Sequence, residues 1–194
     1  MKLSRLVLLM ILCVTISLPA FASNQDVRHV KKTKIQKQNE FIQHLQDDLV
    51  AMYLKGAPKN VNAPQVAAEA HRIAAGVIPE ITRLKKVYHL FPIPVAHNMM
   101  ISVGLKKRGA CKHWAEDLLI YLRTVPREYF YVMWGEANPG KMHEHNVAVL
   151  VPNYGTFQDG IFIDPWRTAG IPFWLPVTAD HHYKWHAWED YGVY

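Results

Sequence analysis

Cys111, His145 and Asp164 carry the chemistry this sequence is best equipped to perform. A thiolate can attack a carbonyl carbon, but it needs a base to take and return the proton, usually an imidazole, and a third group to orient that base. The chain has two cysteines, and Cys13 falls in a segment with the features of an export signal. Lys2 and Arg5 precede an apolar run from Leu6 to Leu18, and Ala20-Phe21-Ala22 supplies a small-x-small cleavage site. The run is shorter than the roughly 20 residues a spanning helix needs. Residues 1–22 are therefore expected to be removed, leaving residues 23–194 as a single domain. Cys111 is then the sole thiol of an exported protein, either a buried bystander or a reactive group.

Position favours reactivity. Trp114, Ala115, Leu118, Leu119 and Leu122 recur at helical spacing, Arg123 follows, and Pro126 lies beyond, so Cys111 to Leu122 reads as a helix. Cys111 sits in its first turn, where unpaired amides and the positive end of the dipole favour a thiolate and can receive an oxyanion. Gly109 allows close backbone approach just before it. Among eleven histidines, His145 opens an alternating run to Val151 and shares a face with Val147, Val149 and Val151. Asn153-Tyr154-Gly155-Thr156 has turn chemistry. A hairpin closed there sets His145 directly opposite Asp164, with Cβ atoms roughly 4.5–5.5 Å apart, and His143 opposite Trp166. A slip of one residue would put the pair on opposite faces.

The elements that must position these groups follow from the same patterning. Phe41, Ile42, Leu45, Leu49, Met52 and Tyr53 make one stripe of a helix over 39–56, stopped by Gly56. Asn62 can cap a second helix carrying Val66, Ala70, Ile73 and Val77, which Pro79 should kink or restart. Phe91-Pro92-Ile93-Pro94 breaks the pattern, and His97 to Val103 makes a short third helix. Beyond Arg108 the character changes to the helix of Cys111 and then strands: Glu128 to Trp134, His145 to Val151, Gly160 to Asp164, and pieces between Ile171 and Tyr194. Helices first (23–104), then a catalytic helix and antiparallel sheet (105–194), is an α+β layout.

Gly109-Ala110-Cys111-Lys112-His113-Trp114-Ala115, then Leu118-Leu119 and Leu122-Arg123, resembles the nucleophile helix of transglutaminase-like cysteine peptidases, whose fold is papain-like. The strand at His145 and the apolar-Asp-Pro ending Ile163-Asp164-Pro165 resemble that family's second and third motifs, and the order Cys, His, Asp is also the family's. The strand from His145 to Val151 is particularly similar to bacterial transglutaminase-like proteinases of the periplasm. The likeness covers about residues 105–170. It departs at Val147, where many relatives carry an aromatic residue, and at Trp166, where a small residue often stands. It implies a Cys-His-Asp catalytic triad: Cys111 as nucleophile, His145 as base and then acid, and Asp164 as orienting acid. The implied reaction is acyl transfer from an amide through a thioester to water or an amine, on a protein or peptide of the cell envelope. Periplasmic localisation is implied ahead of full secretion. Some relatives bind calcium, but no acidic loop here suggests it, and no cofactor is expected.

Other classes compete. His143 and His145 on one face, with His181, His182 and His186 near the C-terminus and Asp164 between, could hold zinc. No His-Glu-x-x-His helix accompanies them, and no metal ligand is assigned. A non-catalytic envelope-binding module is suggested by Trp114, Trp134, Trp166, Trp174, Trp185 and Trp188; Trp166 and Trp174 follow the proposed Asp and could wall a substrate cleft. The net charge of +6 owes much to Arg28, Lys31, Lys32, Lys34 and Lys37, read as a solvated helix start, and no nucleic-acid fingerprint accompanies it. With 194 residues, 50% hydrophobic and 20% charged, the chain is neither disordered nor repetitive, and no later stretch is apolar enough for stable membrane insertion.

Overall fold

A threonine and a glutamine start the first helix. The Thr33 hydroxyl accepts from the Gln36 N–H while the Gln36 side chain accepts from the Thr33 N–H, a reciprocal cap that stabilises the helix end by about 1 kcal/mol. Helix α1 thus spans Lys34–Gly56, beginning five residues before the apolar stripe announces it. The computed structural model describes residues 32–188, so the expected export signal lies outside the described residues. These residues belong to one of the two units into which the chain divides, Lys32–Tyr194.

Helix α2 (Ala63–Val87) is capped by Asn62 and runs unbroken through Pro79. No restart occurs at Pro79: the element is continuous, held by the burial of Ile73, Val77, Ile78, Ile81 and Leu84 along one face. Burial of that many aliphatic side chains outweighs the roughly 3 kcal/mol an interior proline costs. Helix α3 (Pro94–Ser102) begins at Pro94, three residues earlier than expected, because proline suits the first turn, where its missing N–H has no partner to lose. Helix α4 spans Cys111–Thr124.

Five antiparallel strands follow: β1 (Phe130–Ala137), β2 (His145–Pro152), β3 (Ile161–Ile163), β4 (Trp174–Pro176) and β5 (His186–Ala187). Their order in the sheet is β4-β3-β2-β1-β5, so the described residues form an α+β fold with four α-helices and β2 at the centre of the sheet. All eight residues of β2 are buried. One face carries Val132, Trp134, Ala148 and Leu150 into the core shared with the helices. The other carries Val147, Val149, Phe162 and Trp185 into a second cluster.

The helical layer is joined to the sheet by a buried carboxylate. Glu69 of α2, 2% exposed, accepts the N–H groups of Glu128, Tyr129 and Phe130 at 2.7–3.0 Å. It thereby satisfies the backbone entering β1, where the N–H of buried Phe130 would otherwise lack a partner.

The expected register between β2 and β3 is also corrected. Ala148 faces Ile163 and Leu150 faces Ile161, which places Asp164 across from Val147 on the extended ladder rather than across from His145. A short 3-10 turn at Phe157–Asp159 lengthens the connection beyond Asn153–Thr156 and shifts the pairing by two residues. Because side chains alternate with period two, that shift keeps His145 and Asp164 on one face and makes them diagonal neighbours.

Candidate functional site

The loop that delivers Cys111 is fixed from both sides. His97, fully buried, accepts the Phe91 N–H at Nδ1 (3.1 Å), and its Nε2–H donates to the Arg108 carbonyl (2.9 Å). The Arg108 guanidinium donates to Glu116 and Asp117 of α4 at 2.7 and 2.8 Å. Gly109 has φ +116°, and a Cβ there would lie 2.4 Å from His97 Nε2. Gly109→Ala is therefore expected to cost about 2–3 kcal/mol, lowering the thermal midpoint by roughly 4–12 °C for a chain of this size. A midpoint within 1–2 °C of the parent in calorimetry would refute the clamp.

His113 completes the turn. Its Nδ1 accepts the N–H groups of Gly109 and Ala110, each at 3.2 Å, which requires an unprotonated Nδ1. Burial, then the nearby Arg108 and Lys112 charges, push its pKa below the ordinary histidine value, consistent with that acceptor role. Cys111 is the first residue of α4, where helical amides have no partner within the helix. Its thiol, on a residue 8% exposed, donates to the Glu144 carbonyl at 3.9 Å. The Glu144 carboxylate accepts from the Gly140 N–H (2.9 Å) and from Asn146 Nδ2 (3.2 Å), pinning the turn that leads into β2.

His145 is the next residue and is 1% exposed. Its Nε2–H donates to Asp164 Oδ2 at 2.7 Å. Burial of the ring pushes its pKa down, but the Asp164 carboxylate and then the Cys111 thiol more than reverse this and raise it to about 9. Cys111 reaches the carbonyl of Glu144, the residue just before His145, yet His145 Nδ1 has no hydrogen bond of ordinary geometry. Among the described residues, Trp114 Nε1 and His145 Nδ1 are the buried side-chain polar atoms without a partner. A buried imidazole nitrogen left open beside a thiol calls for an explanation.

Asp164, 1% exposed, is held in turn by Arg167, a residue the sequence did not single out. Arg167 donates from Nε to Asp164 Oδ2 (2.9 Å), and from Nη1 and Nη2 to Asp180 at 3.2 and 2.8 Å. Asp180 also accepts from Trp185 Nε1 (3.0 Å) and the His182 N–H (2.9 Å). Burial pushes the Asp180 pKa up, but Arg167 and these N–H donors bring it down to about 2. The guanidinium lies 5.0–5.5 Å from the ring centres of Tyr183, Phe173 and Phe162, a setting that stabilises the cation further.

The structure brings Cys111, His145, Asp164 and Trp166 together and places Trp174 elsewhere. The Trp166 ring centre is 4.8 Å from that of His145, and its Nε1 donates to Asn98 of α3 at 3.2 Å. Trp174 packs edge-on against Phe41 and donates to Asp48 of α1 at 2.8 Å. It joins the sheet to α1 rather than to the His145 cluster. The rings of Tyr183 and Trp185 also approach His145, at 4.9 and 5.5 Å. A cleft of about 510 Å³ opens by Tyr183, lined also by Asn138, His143, Arg167 and His182.

His143 lies in the turn before β2 and is exposed, so it does not share the strand face of His145. Among the described residues, no three His, Cys, Asp or Glu side chains converge as metal ligands. His97, His113, Arg167 and Asp180 left no pattern in the sequence that would have marked them. Comparison of the chain with family models, with curated proteins and with solved structures returns no match in any of the three.

Proposed function

We propose that this protein is a cysteine hydrolase of the transglutaminase-like kind, acting on amide bonds of an envelope protein or peptide after export. The observation that carries the proposal is the open Nδ1 of His145, buried beside Cys111 while Nε2 is committed to Asp164. An imidazole whose proton affinity is raised in this way can take the proton of the thiol at Nδ1 and hold it as an imidazolium.

The cycle then balances. The Cys111 sulfur forms a bond to the carbonyl carbon, and the developing oxyanion is received by the amides of the first turn of α4. As the C–N bond breaks, Nδ1–H of His145 protonates the departing amine and leaves a thioester. Water attacks the thioester, His145 takes a proton from it, and the carboxylic acid leaves as the thiolate and imidazolium are restored. Asp164 keeps the ring in the tautomer that presents Nδ1 and stabilises its charged form.

An electrophilic peptide probe, followed by mapping of the modified residue, tests this directly. Labelling is expected at Cys111 in the folded protein, to be lost in Cys111→Ala, to fall at least 100-fold in His145→Ala, and to be indifferent to a chelator. Label that reaches Cys111 only after unfolding, or peptide hydrolysis by Cys111→Ala at the parental rate, would overturn the reading.

A further inference from the structure

The face of α3 turned away from the site is built for a different contact. Val95, Met99 and Val103 recur every four residues, the spacing of a single helical stripe, and are 63%, 66% and 70% exposed. Ile93 and Leu105, at the two ends of the helix, are 58% and 74% exposed. The opposite side of the same helix is the anchored one, through buried His97 and through Asn98. A folded chain ordinarily hides aliphatic surface of this density unless something covers it.

The charge around the stripe identifies what covers it. No acidic residue lies between Glu80 and Glu116 in the sequence, whereas Lys85, Lys86, Lys106, Lys107 and Lys112 do. Arg83 and Arg108 within that span are paired with carboxylates at its borders, but these lysines form no ion pair among the described residues. Lys106 Nζ donates to the His89 carbonyl at 3.0 Å, bringing its charge to the point where the chain leaves α2 for α3. From there two adjoining clefts of about 450 and 550 Å³ extend, sharing Lys34, Thr82, Lys85 and Gly170, and no carboxylate lines either one. The second reaches His89 and Leu90, immediately before Phe91 and Ile93.

We infer that α3 and its flanking loops dock on the surface of an anionic lipid bilayer. The aliphatic stripe enters the headgroup boundary, and Lys34, Lys85, Lys86 and Lys106 meet lipid phosphates. A protein partner is disfavoured by composition: interface cores favour Trp, Tyr and Arg and are poor in lysine, whereas here aliphatic residues and lysines stand together. No helix among the described residues is long and apolar enough to cross a membrane, so the contact is peripheral. This inference does not depend on the proposed reaction. Because His97 and Asn98 tie α3 to the Cys111 loop and to Trp166, docking also sets the candidate site close to the bilayer surface.

Flotation of the protein, purified as its cell produces it, with vesicles of phosphatidylglycerol and phosphatidylethanolamine tests the inference. Binding is expected to these vesicles at about 0.1 M salt and to be lost with vesicles of phosphatidylcholine alone. Val95→Asp/Met99→Asp and Lys85→Glu/Lys86→Glu should each weaken binding at least tenfold, all four residues being outside the catalytic cluster. Ile120→Asp, at another exposed aliphatic position, on α4 (51%), should leave it unchanged. Circular dichroism melts confirm that each variant is folded. Equal binding to phosphatidylcholine, or undiminished binding by folded Val95→Asp/Met99→Asp, would overturn the inference. So would a vesicle-free dimer that the same double substitution dissolves, since it would assign the stripe to a second copy of the chain.

Discussion

Asp164→Asn is expected to lower peptide hydrolysis on the order of 10⁴-fold while leaving the sulfur of Cys111 in place. The Nε2–H of His145 donates to Asp164 Oδ2 at 2.7 Å, so the carboxylate both selects the tautomer that opens Nδ1 toward Cys111 and stabilises the imidazolium. An asparagine can turn its NH₂ toward Nε2 and favour the proton on Nδ1, the tautomer unable to accept the thiol proton. The same substitution should show in stability. With a folded pKa raised from 6.5 to about 9, His145 binds its proton more tightly in the folded state than in the unfolded one. Its contribution is fully present below about pH 6.5 and is lost as pH rises through about 9, a change of at most about 3 kcal/mol. The parent should therefore lose stability across that window, and Asp164→Asn should flatten the slope and move the imidazole titration observed by NMR downward. Hydrolysis within tenfold of the parent together with an unmoved imidazole titration would reject the role assigned to Asp164.

The face shared by His145 and Asp164 was legible in the sequence because strand parity follows from alternation alone. Their spacing along the ladder was not, since it depends on how many residues the connection consumes. The turn at Phe157–Asp159 consumes two more pairing positions than Asn153–Thr156 would, and an even shift preserves the face. The helices were legible from their stripes, and the second also from its cap at Asn62, but the first and third start at Thr33 and Pro94, which cap or open a helix without belonging to its apolar periodicity. Residues that act across long sequence distances left the least trace. Glu69 satisfies the backbone entering β1, and His97 clamps the loop before Cys111. Each is a polar residue in a helix until the partner segment is folded against it. Trp166 and Trp174 show the converse: eight positions apart in sequence and alike in type, they part because Asp48 and Phe41 of α1 claim one while Asn98 of α3 holds the other beside His145.

Arg167→Met should produce the largest loss of stability, about 3–5 kcal/mol, seen as a fall of roughly 6–20 °C in the thermal midpoint. Among the described residues, the Arg167 guanidinium is the only side-chain cation bonded to two carboxylates whose side chains are each 1% exposed. Removing it leaves Asp180 with N–H donors but no countercharge, and a buried charge without its partner costs several times what a surface pair contributes. The pH dependence gives the mechanism away. The Asp180 pKa is held down from 3.8 to about 2, so this carboxylate adds stability that is present above about pH 3.8 and is lost as pH falls toward 2. Without Arg167 its affinity for the proton rises and that acid-side loss disappears from the stability curve. Arg167→Met/Asp180→Leu should recover part of the midpoint, because deleting both partners removes the orphan charge as well as the ion pair. Arg167→Lys should recover less, since one ammonium cannot donate to Asp164 and bidentately to Asp180 at once. A melting curve of Arg167→Met that overlays the parent would show instead that water reaches both carboxylates, and Asp164 would then have to orient His145 without the support its neighbour supplies.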